Sequence, residues 1–277
     1  MSDELINRFN VEGVADICHV ATSAAFTTDA SEAIPRTLAG ALSILQSTAN
    51  APSVKTVVYT SDSFAVLLPQ ADKKVTITTS MYNEYAMEAM DNVVELDKVK
   101  ANAWDPSVAI ELVVWAAAKA TAEKALWQFV ADHRPSFQVA TVIPNMNFGP
   151  PVDSQPLSST GLCIPDLLKS EEKPNLYFPA QHFVHVRDCA KLHVAALLDP
   201  SQNGERIFAC AAPFNWNDVL HILRDIKPDK SIRDDFQDLG RDVSVLPNDA
   251  AEQLLRKHYN HGWTSLKETV IQNIQHL

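Results

Sequence analysis

The stretch "KTVVYTSDSFAV", residues 55–66, decides the fold, because an apolar run in it gives way to a polar turn. Its first part is rich in β-branched and aromatic residues, which predicts a strand. Upstream, "ADICHVAT" (15–22) also predicts a buried strand, and "SEAIPRTLAGALSILQSTANAP" (31–52) has the apolar spacing of a helix and a proline near its end. This strand–helix–strand order predicts an α/β fold with a parallel sheet covered by helices.

The same alternation continues toward the C-terminus. "FQVATVIPN" (137–145) predicts a third strand, and the residues before it predict a long helix at about 109–133. Further elements are expected as short strands in "LYFPAQHFVHV" and "RIFACAA", and as helices at 187–199, 215–226, 248–258 and 264–276.

Composition disfavours several classes of function. The net charge of −11 and the pI near 5.2 argue against nucleic acid or an anionic membrane as a partner. No run approaches the roughly 18 apolar residues of a membrane span, and the start "MSDELINRFN" lacks the pattern of a signal peptide. The four cysteines form no C-x-x-C pair and the nine histidines form no cluster. We therefore expect a cytoplasmic protein with reduced thiols and no metal.

Six stretches, taken together and in this order, resemble the extended short-chain dehydrogenase/reductase superfamily. Within it they are most similar to the dihydroflavonol-reductase and cinnamoyl-CoA-reductase group, which includes fungal carbonyl reductases. The stretches are "GVADICHVAT", "KTVVYTSDSFAV", "WAAAKATAEKALWQF", "VATVIPNMNFGPP", "HFVHVRDCAKLHVAAL" and "GWTSLKETV". The resemblance covers nearly the whole chain and implies a Rossmann-like domain over 1–150, followed by a small α/β substrate-binding part over 151–277 that is interleaved with the sheet.

The resemblance also implies a nucleotide site that this sequence does not reproduce. Members of the superfamily begin with a β-α-β segment of roughly 60 to 70 residues whose glycine-rich turn binds the dinucleotide pyrophosphate. Here Met1 aligns after that segment, and the 7 glycines among 277 residues form no G-x-G-x-x-G motif. We therefore expect an incomplete Rossmann-like sheet and no cofactor, with NADP as the alternative.

Two of the three catalytic positions that the resemblance implies are changed. The superfamily uses a serine or threonine, a tyrosine that protonates the carbonyl oxygen, and a lysine that lowers the tyrosine's pKa. Here the lysine is Lys119, but the tyrosine position holds Trp115 and the serine position falls on Asp62. An indole N–H is a donor only and cannot relay a proton. We therefore expect that reductase chemistry of the ancestral kind is lost.

The altered positions have a structural and a functional interpretation. Trp115 and Lys119 are four residues apart on one helical face, which is typical of a lysine that extends over a core tryptophan. Asp62 and Lys119, in turn, form either a plain ion pair or an acid–base couple with displaced pKa values. In the functional interpretation Asp62, Lys119 and Trp115 are catalytic, with the Trp115 N–H able to polarise a carbonyl. The expected substrate pocket comprises His19, Thr22, Ser63, Phe64, Met81, Tyr82, Asn145, Met146 and Phe148.

Our leading hypothesis from these residues is a cofactor-independent isomerase or cyclase, including pericyclase-like reactions, that acts on an apolar natural-product intermediate. Orientation alone can lower a barrier by roughly 7–11 kcal/mol in the best cases. The alternatives are an NADPH-dependent carbonyl reductase whose nucleotide-binding segment is missing from this chain, and a non-catalytic pseudoenzyme or metabolite-binding subunit. The strand at 15–22 is expected at an exposed sheet edge, which predicts a homodimer across that edge or a cover formed by residues 1–12.

Overall fold

The computed structural model describes residues 13–22, 27–91, 106–152, 157, 159–169 and 180–277. These residues form a mixed α/β structure of two compact units. The first unit comprises the described residues of Met1–Leu68, Thr79–Ile143 and His193–Ile207, and the second those of Pro69–Thr78, Pro144–Leu192 and Phe208–Leu277. The chain therefore passes between the units several times. The division expected from the sequence, a domain over 1–150 and a part over 151–277 interleaved with the sheet, stays a prediction.

Most residues of a four-stranded sheet belong to the first unit. In chain order its strands are β1 (Asp16–His19), β2 (Thr56–Thr60), β3 (Gln138–Pro144) and β6 (Arg206–Ala209), and they lie side by side in the same order. β1 pairs with β2 and β2 with β3 in parallel. The expected strands and their parallel pairing are confirmed, and β1 is an edge of this sheet within the described part of the chain. Residues 1–12, the expected cover of that edge, lie outside the described residues.

Three helices belong to the first unit throughout their described length: α1 (Ala30–Ala49), α2 (Glu84–Asp91) and α3 (Pro106–His133). α1 begins where the Asp29 carboxylate accepts hydrogen bonds from the backbone N–H groups of Ser31 and Glu32. α3 packs against α1 and the sheet through a core that includes Leu45, Val57 and Leu126. Its alanines from Ala116 to Ala122 are almost completely buried, and their small side chains let the helix lie close to its neighbours. A polar side chain on the same face is therefore enclosed.

The second unit has a three-stranded sheet. Its order is β4 (Met146–Phe148), β5 (Ala180–His185) and β7 (Ala212–Asn215), with β4 parallel and β7 antiparallel to β5. Its core includes edge-to-face contacts among Phe148, Phe214 and Trp216. The other α-helices within the described ranges are α4 (Cys163–Leu168), α5 (Val186–Leu198), α6 (Trp216–Ile226), α7 (Asp249–Tyr259) and α8 (Leu266–Asn273). No helix within the described ranges is long and apolar enough to cross a membrane.

Candidate active site

The candidate site lies in the first unit, where the carboxyl end of β2 meets the middle of α3. β2 ends at Thr60, and the backbone at Asp62 is still extended, with φ −154° and ψ 145°, before a short 3₁₀ helix over Ser63–Ala65. Trp115 and Lys119 lie one turn apart on α3 and face this strand end. The structure thus brings together the three residues for which the sequence predicts catalytic roles.

Lys119 is an ammonium group enclosed by protein. Only 2% of the residue is exposed, its Nζ donates a hydrogen bond to the Thr60 carbonyl oxygen at 2.8 Å, and it lies 5.0 Å from the centre of the Tyr59 ring. Burial lowers the pKa of Lys119 from 10.5 to about 8, although the negative charges of Asp62 and Glu123 oppose this shift. Lys119 is therefore close to its titration range at mildly alkaline pH.

Asp62 is half-buried, and both oxygens of its carboxyl group accept hydrogen bonds. Oδ1 accepts from the Phe64 backbone N–H at 2.8 Å and Oδ2 accepts from Trp115 Nε1 at 3.0 Å. Burial of the carboxyl raises the pKa of Asp62; the two hydrogen bonds and the charge of Lys119 oppose this increase. At a given pH, a larger fraction of Asp62 is consequently protonated than of an exposed aspartate.

The arrangement differs from the direct Asp62–Lys119 ion pair considered from the sequence. Within the described residues, Lys119 Nζ and the Asp62 carboxyl oxygens do not approach within the 4.0 Å of a salt bridge. Their charges still attract each other over a longer distance. The Trp115 N–H, expected to be available for a substrate carbonyl, is instead directed at Asp62. The indole therefore orients the carboxyl group, and Lys119 is held by the strand end.

Four other expected site residues lie on β1, shortly after it, or in the 3₁₀ helix. His19 is 7% exposed and stacks on Tyr59, with 5.5 Å between ring centres, and burial followed by the charge of Lys119 lowers its pKa. Ser63 is 8% exposed, and its Oγ has no hydrogen-bond partner among the described residues. Phe64 is buried, whereas Thr22 is exposed. Their substrate contacts stay predictions.

Met81 and Tyr82 belong to a segment held by Arg206, a residue that the sequence reading missed. The Arg206 guanidinium donates to the carbonyl oxygens of Thr79 and Met81 at 2.7 and 2.8 Å and lies 4.3 Å from the centre of the Tyr82 ring. It also makes a two-bond ion pair with Glu123 at 2.8 and 3.0 Å. Glu123 was detectable from the sequence, because it is four residues after Lys119, but nothing near Arg206 in the sequence indicated this role.

The remaining three expected substrate-binding residues lie in the second unit. Met146 and Phe148 are 3% and 0% exposed and belong to its hydrophobic core, which is the packing role expected of buried apolar side chains. Asn145 Oδ1 accepts a hydrogen bond from the backbone N–H of Met146 at 2.7 Å. A substrate contact by any of the three stays a prediction. No group of His, Cys, Asp and Glu within the described ranges has the arrangement of a metal site.

Comparisons with known proteins identify relatives that reduce carbonyl groups. No protein-family model matches the chain. Aldehyde reductase 2 of Sporidiobolus salmonicolor is 30% identical over 263 residues, which cover 94% of this chain and 74% of that protein. Ketoreductase nvfG of Aspergillus novofumigatus is 30% identical over 270 residues, which cover 94% and 75%.

A solved structure gives the same fold. Yeast methylglyoxal/isovaleraldehyde reductase Gre2, determined in complex with NADPH, aligns over 94% of this chain and 75% of that chain with a TM-score of 0.74 and 23% identity. The Rossmann-like fold class is therefore confirmed. The expectation of a site without a cofactor is contradicted, because a related reductase is seen with NADPH bound. The relatives also favour the carbonyl-reductase alternative over an isomerase or cyclase.

Proposed function

This chain belongs to the extended short-chain dehydrogenase/reductase family, and we propose that its site at Asp62, Trp115 and Lys119 reduces a carbonyl group of a small apolar substrate with NADPH. The observation that carries the proposal is Lys119. An ammonium group that is 2% exposed and held against the strand end by the Thr60 carbonyl matches the lysine that binds the nicotinamide ribose in this family. Burying such a charge without an ion pair opposes folding, so a functional role accounts for Lys119 better than stability does.

The hydrogen-bonding capacity of the site fits the nicotinamide end of the cofactor. Lys119 has three N–H groups, and one of them is used by Thr60 among the described residues. The buried Ser63 hydroxyl has no partner within the same ranges. The other two N–H groups of Lys119 are therefore available to ribose hydroxyls or to a substrate oxygen. We assign only this end, because the 7 glycines of the sequence form no glycine-rich pyrophosphate motif.

Each residue at the site then has a defined task. The cofactor, when bound, supplies a hydride to the carbonyl carbon. Lys119 binds and orients the ribose, and its positive charge stabilises negative charge that develops on the carbonyl oxygen. The Tyr59 and Trp115 rings, 5.0 and 5.9 Å from Lys119 Nζ, flank this charge with apolar surface that excludes water and strengthens its field.

The proposal is tested by NADPH binding and oxidation. We expect the purified 277-residue protein to bind NADPH in calorimetry and to oxidise it in the presence of para-nitrobenzaldehyde or methylglyoxal. Lys119→Met should abolish both. Lys124→Met is the matched control, because Lys124 lies on the same helix but its side chain is 52% exposed and pairs with Glu84. Turnover of an apolar substrate without NADPH oxidation would instead favour an isomerase or cyclase, and NADPH binding without turnover would favour a pseudoenzyme.

We also propose that a second copy of the chain covers the edge strand β1. β1 pairs only with β2 among the described residues, and Val20 immediately after it is 59% exposed. An uncovered edge of this kind favours pairing with another chain. Sedimentation should therefore show a dimer that Val20→Lys weakens, whereas Val194→Lys, at a similarly exposed valine of α5, should leave it intact. A monomeric wild-type protein would contradict this proposal.

A further inference from the structure

The proposed carbonyl reduction needs a proton donor that Trp115 cannot be. Addition of a hydride to the carbonyl carbon leaves a negative charge on the oxygen, and an alcohol forms only when that oxygen receives a proton. The family takes this proton from a tyrosine, whose position here holds Trp115. An indole N–H can donate a hydrogen bond but not a proton in this pH range. Because the proposed function assigns Lys119 to the ribose, another group near it must supply the proton.

The ionisable groups around Lys119 differ in accessibility. Glu123 is 0% exposed and is engaged by Arg206, Ser61 and Thr141. Tyr59 is 2% exposed, and burial raises its pKa far above its ordinary value. Asp62 is half-buried and lies at the strand end, in the position of the family residue that orients the substrate carbonyl. Of these carboxyl and phenol groups, Asp62 is the one that a substrate can reach.

From this geometry we propose that Asp62 is the acid that protonates the carbonyl oxygen, and that Trp115 is its positioning residue. This inference rests on the proposed function. The positions of the donor and the orienting group are thereby exchanged relative to the family: the acid stands where the serine stands, and a fixed hydrogen-bond donor stands where the tyrosine stands.

The hydrogen bonds of Asp62 fix its orientation while leaving capacity for the reaction. Oδ1 accepts from the Phe64 N–H and Oδ2 from Trp115 Nε1, and each carboxyl oxygen has a second site for a proton or a hydrogen bond. In the step, the carbonyl carbon gains a hydride from the reduced nicotinamide, and the carbonyl oxygen gains the proton of Asp62. The products are an alcohol, the oxidised nicotinamide and the Asp62 carboxylate, which solvent protonates again.

The charged and titratable groups that act on Asp62 come from two elements. Lys119 and Glu123 lie on α3 and Tyr59 lies on β2. The positive charge of Lys119 and the N–H of Trp115 stabilise the carboxylate product of the step, while burial and Glu123 favour the protonated reactant. A general acid must be populated in its protonated form and must also release its proton in the reaction. The opposing influences on Asp62 favour each of these two states in part.

The kinetic test uses an isosteric substitution. Asp62→Asn should retain NADPH binding but lower the rate of para-nitrobenzaldehyde reduction by at least about a hundredfold, which is the usual size of a general-acid contribution. The wild-type rate should fall as pH rises through the pKa of Asp62. Asp29→Asn is the matched control, because Asp29 also accepts backbone N–H bonds at a helix start but lies outside the site. Its rate should remain that of the wild type.

A second variant separates loss of the acid from misfolding. Asp62→Asn combined with Trp115→Tyr replaces the lost acid with the family's phenol beside Lys119. It should recover part of the rate that Asp62→Asn loses. The falling limb of its pH–rate profile should lie at higher pH than that of the wild type, because a phenol has a higher pKa than a carboxyl group. A double variant as inactive as Asp62→Asn, although folded and able to bind NADPH, would count against the exchange of roles.

Nuclear magnetic resonance gives a readout that needs no cofactor. The Trp115 indole N–H signal, assigned with Trp115→Phe among the five tryptophans, should shift with pH as Asp62 titrates, with a midpoint above the ordinary pKa of an aspartate because the carboxyl is buried. The shift should vanish in Asp62→Asn. A Trp115 signal that does not titrate, or full activity of Asp62→Asn, would overturn the inference alone. A wild-type protein that neither binds nor oxidises NADPH would overturn the proposed function and with it this role.

Discussion

Lys119 and Glu123 lie one turn apart on α3 and are 2% and 0% exposed. They differ in how many hydrogen bonds and ion pairs the surrounding residues make with them. Glu123 accepts two hydrogen bonds from Arg206 and one each from Ser61 and Thr141, so its charge is matched and its oxygens are saturated. Lys119 has one hydrogen bond to a carbonyl among the described residues and no ion pair there. The same helix thus buries one satisfied charge and one unsatisfied charge.

This difference separates a structural site from a functional one. A buried ion pair with all its hydrogen bonds made holds segments in place but has no capacity left for a ligand. The Arg206–Glu123 pair joins α3, β3, β6, the end of β2 and the Thr79–Met81 segment in this way. Lys119 retains unused donors and a lowered pKa, which is the pattern found where a group must interact with something that comes and goes.

The largest effect should follow from breaking the satisfied pair. Arg206→Met leaves the Glu123 carboxylate buried without its cation and also frees the Thr79 and Met81 carbonyls. We expect the free energy of unfolding to fall by about 3–5 kcal/mol. Urea unfolding followed by circular dichroism measures it, with Arg36→Met as the control. The side chains of the Arg36–Glu32 pair are both 57% exposed, so that change should stay within about 1 kcal/mol. Equal effects would show that the buried pair has no special weight.

Removing the unsatisfied charge should have the opposite sign. Because the pKa of Lys119 is lowered from 10.5 to about 8 on folding, the unfolded chain binds more protons in that window. The contribution of Lys119 to stability is therefore least favourable below pH 8 and improves by about 3 kcal/mol as pH rises to 10.5. Lys119→Met lacks this charge, so it should equal or exceed the wild type in stability below pH 8.

Urea unfolding of Lys119→Met at several pH values also tests the pH range over which Lys119 affects stability. The stability advantage of Lys119→Met over the wild type should shrink as pH rises from 8 to 10.5 in urea unfolding. Lys124→Met, which removes an exposed lysine of α3, should show no comparable change with pH. If Lys119→Met is strongly destabilised below pH 8, the ammonium is a structural group like Arg206, and the distinction between the two sites disappears.

The sequence could predict features that depend on local apolar patterns, but not contacts between residues far apart in the chain. The strands β1, β2 and β3 and the helices α1 and α3 follow from apolar runs of strand or helix length, and their bounds agree within a few residues. β4 has only three residues and β7 contains a proline, so neither has the apolar run that predicts a strand. The partner of Glu123 is 83 residues away in the chain, so no local spacing indicates it. The family resemblance located Asp62, Trp115 and Lys119.

What these three residues do to each other depended on side-chain directions that sequence does not carry. The expected choice was between an Asp62–Lys119 ion pair and an acid–base couple. The structure instead orients Trp115 Nε1 toward Asp62 and Lys119 toward Thr60. Two donors on α3 bind two different acceptors at the end of β2. Which acceptor each donor reaches depends on the backbone geometry at the turn over Ser63–Ala65.

The smallest and sharpest test concerns the indole itself. Trp115→Phe keeps a ring on α3 but removes the hydrogen bond that stabilises the Asp62 carboxylate, so the pKa of Asp62 should rise further above its ordinary value. We expect a stability loss of only about 1–2 kcal/mol, together with displacement of the falling limb of the pH–rate profile to higher pH. Trp127→Phe is the matched control on the same helix, because Trp127 Nε1 has no hydrogen-bond partner among the described residues. A profile displaced equally by both changes, or by neither, would mean that the Trp115 N–H does not tune the acid, and that Asp62 and Lys119 are no more specialised than the saturated pair one turn away.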